Sequence, residues 1–261
     1  MNEKIPTLEF YKDLQEIYNI FNRELFDNTL PNCLITVQRK KQVMGYFSPD
    51  RWINDKGKKN HELALNPAYF GSCNFIEIFQ TVVHEMCHLW QFEFGTPSRK
   101  TYHNQEWANK MESIGLIPSD TGRAGGKKTG QKMNDYPERG GKFEKLCIKI
   151  FKDGLYVKWF DRFPNEITVK TPFSQEDYQE LDEEELQDVI DSLDDDKILE
   201  NLYTTVGEII KDILPVEEVR ALNEIKQKTK YMCPQCSSSV WGKPNLSIKC
   251  NSCNIDFFIV T

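Results

Sequence analysis

The sequence predicts an α+β fold, helices packed on a small sheet, with a second and smaller module near the C-terminus. Two observations predict it. Within the first 118 residues an amphipathic helix is followed by three short apolar or β-branched segments, and then by two more amphipathic helices. Elements of that size and order form one helix-on-sheet unit. Further on, Cys233-x-x-Cys236 and Cys250-x-x-Cys253 stand thirteen residues apart. That is the spacing of a zinc ribbon, in which each pair forms a knuckle and four thiolates close a structural site.

The first helix is predicted over 7–27, where Leu8, Tyr11, Leu14, Ile17, Tyr18, Phe21 and Leu25 make one stripe; Asn28 and Pro31 end it. Leu34–Val37, Gly45–Phe47 and Leu63–Leu65 read as short strands. A second helix opens at Phe75 and runs to about Phe94, where Gly95 and Pro97 stop it. A polar loop, Ser98–Tyr102, leads to His103 and a third helix with Trp107, Met111 and Ile114 inward and Gly115 as its cap.

The second helix carries the chemistry. His84-Glu85-Met86-Cys87-His88 places two of the chain's four histidines at i and i+4, one turn apart on one helical face. Two imidazoles so placed point at a common ion, and Glu85 between them holds a water or takes its proton without being a ligand. The pattern is that of a zincin-like metallopeptidase. A catalytic zinc takes three protein ligands and keeps a fourth position open. His103 is the natural third ligand, its alternative being a surface histidine at the start of the next helix. Glu106 competes as a carboxylate ligand. His61 has no partner at metal spacing and reads as a surface residue.

Residues 119–142 hold six glycines and the bases Arg123, Lys127, Lys128, Lys132, Arg139 and Lys142, and read as a glycine-rich basic loop or a flexible linker. Over 143–172, Leu146–Phe151, Asp153-Gly154 and Leu155–Phe160 read as a β-hairpin, with Ile167–Val169 as a third strand. Residues 173–229 read as an acidic, partly helical linker and 230–261 as the ribbon. No internal repeat is found.

The net charge of −7 is unevenly placed. Residues 174–200 hold 13 acids and one base; the rest of the chain has 27 acids against 32 bases. A nucleic-acid partner is therefore compatible with the overall acidity. In the ribbon, Trp241, Lys243 and Lys249 set an aromatic among bases, a combination that stacks a nucleobase and contacts phosphate. The alternative is a ribbon that only stabilises the C-terminus. Cys33, Cys73, Cys87 and Cys147 are too scattered for a disulfide framework. No apolar run is long enough for a membrane span, and Met1-Asn2-Glu3-Lys4 opens no signal peptide, so a cytoplasmic location is expected, nucleoid-associated in a bacterium.

Taken in order, Phe21-Asn22-Arg23-Glu24-Leu25-Phe26, Leu30-Pro31, Gly45-Tyr46-Phe47, Leu65-Asn66-Pro67-Ala68-Tyr69-Phe70, His84-Glu85-Met86-Cys87-His88 and His103 resemble the SprT-like domain, the Spartan-type zinc metalloprotease domain. The resemblance covers about residues 7–118. It implies His84, His88 and His103 as zinc ligands and Glu85 as catalytic acid/base; Spartan itself degrades proteins crosslinked to DNA. The family often has glycine after its third histidine, where this chain has Asn104. The extension beyond 118 looks like that of SprT-like proteins from bacteria and their mobile elements, several of which end in a ribbon.

The reading that follows is a zinc-dependent peptidase with one catalytic and one structural Zn2+, acting on DNA-associated proteins, with single-stranded or crosslinked DNA as a partner. Two alternatives stay open. One is a DNA-independent zinc peptidase with a specific protein substrate; the other is a non-catalytic DNA-binding protein on the same scaffold.

Overall fold

The computed structural model describes residues 5–41, 43–99, 102–161, 196–213, 229–243 and 245–260. The expected strand at 167–169 and most of the acidic linker lie outside the described residues. The chain divides into two compact units, Met1–Ile210 and Lys211–Thr261. Among the described residues no helix is long and apolar enough to cross a membrane.

Helix α1 (Pro6–Leu25) starts with proline in its first turn, where no amide partner is needed, and buries Leu14, Ile17, Tyr18, Phe21 and Leu25. Asn22 is buried on the same helix. Its side-chain amide donates to the Leu30 carbonyl at 3.0 Å and accepts from the Leu30 amide at 3.1 Å, which pins the Leu30-Pro31 turn. Strands β1 (Leu34–Val37), β2 (Gly45–Ile53) and β3 (Lys59–Leu65) form a sheet of order β1-β3-β2, with β1 parallel and β2 antiparallel to the central strand. Asn66 ends β3, and its side-chain amide donates to the Val43 carbonyl at 2.7 Å, tying down the loop between β1 and β2.

Helix α2 (Phe75–Phe94) has the expected bounds and the reasons for them are local. Asn74 and Glu77 form a reciprocal capping box at 2.9 and 3.0 Å, and Gly95 follows the last turn. Ile76, Phe79, Val82, Val83, Met86 and Leu89 are buried, so the helix is the centre of the core rather than its surface. Asn104 caps α3 (Gln105–Ser113) by accepting from the Trp107 amide at 3.1 Å. Capping is what asparagine supplies there in place of the family's usual glycine. Gly115 follows α3 with φ +85°, the left-handed conformation that stops a helix.

Beyond residue 118 the structure departs from the sequence reading. Strand β4 (Leu116–Ser119) pairs antiparallel with β5 (Asn134–Pro137), so the glycine-rich segment is a hairpin connection whose far arm is a strand. The hairpin expected at 146–160 is instead helix α4 (Lys142–Lys152) followed by irregular chain. Phe143, Cys147 and Ile150 recur at four and three residues and are fully buried, a helical stripe that a strand begun at Leu146 cuts short. Asp153-Gly154 is the helix stop. Gly154 (φ +75°) donates to the Phe151 carbonyl and Leu155 to the Ile150 carbonyl, both at 3.0 Å. These are the two bonds of a Schellman motif, and an Asp-Gly pair serves it as well as it serves a hairpin turn. Because α4 shares the core of α1 and α2, that core does not end at 118.

Helices α5 (Asp196–Tyr203) and α6 (Val206–Ile213) follow. Leu202 and Val206 are buried in the same core, and the Val206 amide donates to the Cys73 carbonyl at 2.8 Å. In the second unit β6 (Thr229–Met232) is flanked by β7 (Ser239–Gly242) and β10 (Phe258–Val260), and β8 (Lys249–Cys250) pairs with β9 (Ile255–Asp256). Val240-Trp241 lies within β7, paired with β6.

Candidate metal centres

Three histidines meet over the middle of α2. His84 and His88 come from successive turns of the helix, and His103 enters from the loop before α3. His103 Nε2 lies 3.1 Å from His88 Nε2 and 3.3 Å from His84 Nε2. Nitrogens about 2.0–2.1 Å from a tetrahedral zinc stand about 3.3 Å from one another, so this donor set fits the ion. Trp107 of α3, fully buried, closes the floor; its ring lies parallel to His88 and edge-on to His84 and His103.

The remaining ring nitrogens have partners from the β4–β5 hairpin. His84 Nδ1 donates to Asp135 Oδ2 at 2.9 Å, and His103 Nδ1 to the Gly130 carbonyl at 3.1 Å. Burial lowers the proton affinity of His88 well below the usual histidine value, helped by the other two rings, and that of His103 to about 4. Both are therefore neutral with a free lone pair, the state a metal ligand needs. For His84 burial acts in the same direction, but the hydrogen bond to Asp135 and the charges of Glu85 and Asp135 lift it above the ordinary value.

Glu85 is buried beside the histidines. Burial raises its carboxyl to about 7, against the opposing pull of His84 and of the Phe47 backbone amide. Gly45 lets β2 lie this close: a Cβ there would stand 3.3 Å from Glu85 Cγ and 2.8 Å from Thr81 Cγ2.

The four ribbon cysteines also converge, with every Sγ within 4.8 Å of the others and Cys236 Sγ 3.7 Å from Cys250 Sγ. Thiolates on a tetrahedral zinc stand about 3.8 Å apart, so this set fits a closed structural site. The knuckles match: Ser237 and Asn254, each just past the second cysteine of its pair, take φ +58° and +59° and donate to the Cys233 and Cys250 carbonyls.

The profile of the SprT-like family matches residues 14–123. Over that segment the chain is similar to the SprT-like family. The family is one of zinc-metallopeptidase-like domains, and the histidine cluster lies within the matched residues. An uncharacterised Salmonella typhimurium protein, named for its place in the region 3′ of mucB, is 51% identical over 49 residues, 19% of this chain and 66% of that protein. The chain thus spans just under two thirds of that relative's length. No solved structure matches the chain.

Other expectations meet the structure as follows. Glu106 stays outside the histidine cluster; its carboxylate accepts from the Thr96 amide at 2.7 Å and from Gln91 at 2.8 Å. His61 is not a surface residue. It is buried, with Nε2 2.9 Å from Glu93 and Nδ1 accepting from the Asp50 amide at 3.0 Å. Lys127 and Lys128 are exposed on the β4–β5 connection, and Lys128 is paired with Glu112. Trp241, Lys243 and Lys249 are all exposed on the ribbon. Sequence reasoning missed Asp135, Gly130 and Trp107 because none stands at a diagnostic spacing; they reach the histidines only through the fold.

Proposed function

We propose that this protein is a zinc-dependent endopeptidase, with His84, His88 and His103 as ligands of the catalytic ion and Glu85 as its acid/base. The observation that carries the reading is the convergence of three Nε2 atoms beside one buried carboxylate. A carboxylate buried beside three imidazoles that can ligate one ion is the placement a general acid/base needs. Zinc, when bound, supplies the Lewis acidity that polarises a scissile carbonyl and acidifies water. Glu85 takes the proton of the attacking water and passes it to the leaving amine. The Phe47 amide holds the carboxylate in place against β2, and buried Trp107 keeps solvent from the underside of the histidines.

For the substrate we propose proteins associated with DNA, those crosslinked to it included, and for the ribbon a role in holding single-stranded DNA. Strand register supports this. Alternation puts Lys230, Met232, Ser239, Trp241, Phe258 and Val260 on one face of the β10-β6-β7 sheet. Trp241 is 63% and Phe258 44% exposed there, and Lys230 Nζ lies 5.5 Å over the Trp241 ring. Exposed aromatics beside a cation are what base stacking with phosphate contact requires. The acidic block 174–200 would compete with phosphate for basic surface.

The test is proteolysis of a DNA-bound protein by the zinc-loaded chain, with and without single-stranded DNA, against Glu85→Gln. Cleavage that needs both DNA and Glu85 is expected. Cleavage indifferent to DNA would leave the peptidase and remove the DNA role. Cleavage by Glu85→Gln at the wild-type rate would remove the acid/base assignment.

A further inference from the structure

The β4–β5 hairpin touches the histidine cluster twice within six residues. At Gly130 the contact is threefold: its carbonyl accepts from the His103 amide at 2.8 Å and from His103 Nδ1 at 3.1 Å, and its amide donates to the His103 carbonyl at 3.0 Å. At Asp135 the carboxylate accepts from His84 Nδ1 through Oδ2. Its other oxygen and its carbonyl accept from the Gln80 side-chain amide at 2.9 and 3.1 Å. Gln80 lies one turn before His84 on α2, and both Gln80 and Asp135 are buried. The carboxylate is therefore held at both oxygens between two side chains of the metal helix. Among the described residues no other side chain of the hairpin is placed this way.

We propose that Asp135 is the positioning residue of the catalytic metal site. It fixes His84 as the Nδ1–H tautomer with Nε2 turned to the ion, while Gly130 does the same for His103. The physical reason is general: a carboxylate or carbonyl behind a ligating imidazole sets its tautomer and ring orientation and raises its basicity. The glycine-rich segment is then the second wall of the metal site rather than a tether. Metal binding and ordering of the hairpin are linked, so each stabilises the other.

This rests on the histidine cluster being a metal site, and not on peptide hydrolysis. The experiment is therefore metal affinity, read without substrate on the full chain. Zinc competition with a chromophoric chelator and cobalt titration are run on the wild type, Asp135→Asn and Asp135→Ala, with His84→Ala marking the site. Thiolate-to-cobalt charge transfer identifies the ribbon ion, so the histidine-bound ion is followed separately. Affinity at the histidine site is expected to fall in the order wild type, Asn, Ala, by about 10–100-fold for Ala, with the ribbon ion unchanged. Asparagine keeps an acceptor for Nδ1–H but loses the charge, and that graded order is not produced by a merely structural role. Wild-type affinity in Asp135→Ala would overturn the proposal. Should that variant not fold, wild-type affinity together with an unaltered cobalt spectrum in Asp135→Asn would do so. A wild type that binds zinc tightly but cleaves nothing would overturn the peptidase reading and leave this one standing.

Discussion

Truncating Phe143 tests whether the core extends past the SprT-like segment. The ring is fully buried and stacked on Phe21 of α1, with centroids 6.0 Å apart and planes 25° from parallel; Phe21 in turn meets Phe79 of α2 edge-on at 5.8 Å. Phe143→Ala removes the ring from a space walled by three helices. Such truncations cost about 3–5 kcal/mol, the upper part of the range applying where the walls cannot collapse. Part of that, about 0.5–1.5 kcal/mol, is the aromatic pair itself. We expect about 4 kcal/mol, which at a urea slope of about 2–2.5 kcal/mol/M moves the midpoint down by about 1.5–2 M. The assay is urea unfolding followed by far-ultraviolet circular dichroism, with zinc saturating throughout so that metal linkage is constant. Trp159→Ala, at a half-exposed position in the chain after α4, is the control and should cost under about 1 kcal/mol. A cost for Phe143→Ala no larger than the control's would refute the shared core and return 143–152 to an appendage.

Three further substitutions follow from close approaches. Gly45→Ala would place a Cβ 3.0 Å from the Ala64 carbonyl and against Thr81 and Glu85. It should lower peptide turnover by about tenfold or more, roughly 1.4 kcal/mol in the barrier, while zinc content by elemental analysis is unchanged. Gly207→Ala would set a Cβ 2.4 Å from the Gly71 carbonyl. Helix propensity alone predicts a gain of about 1 kcal/mol, and the clash predicts a loss of about 1–3 kcal/mol, so the sign of the urea-midpoint shift decides between them. Ser237→Gly relieves a left-handed serine in the first knuckle and should stabilise the zinc-loaded ribbon by about 1 kcal/mol, seen as a higher thermal midpoint. An unchanged midpoint would mean that serine bears that conformation without strain.

Much of the first 118 residues was legible because their signals are local. The bounds of α2 follow from Asn74 and Glu77 at one end and Gly95 at the other, all within a turn of the helix they limit. The two C-x-x-C knuckles likewise carry their own geometry in four or five residues. Where two structures share one local signal, sequence reading failed. Asp153-Gly154 ends a helix through left-handed glycine, and the same dipeptide closes hairpins; only the burial of Phe143, four residues before Cys147, separates the two. His61 read as a surface residue because its partners, Glu93 and the Asp50 amide, lie 32 and 11 residues away.

The sequence by itself determined the pairing of His84 with His88 and of the two cysteines within each knuckle. One helical turn puts His84 and His88 on one face with Glu85 beside them, and a knuckle brings each pair of thiolates together, whatever the rest of the chain does. Tertiary structure decided which third residue joins the histidine cluster and which groups contact its rings. His103 arrives across 15 residues, and Asp135 and Gly130 arrive from a segment whose composition reads as loop. Outer contacts to a metal site are made through space by single side chains and carbonyls. No period or spacing marks them in the sequence, and only the packing of the β4–β5 hairpin against α2 brings them to the imidazoles.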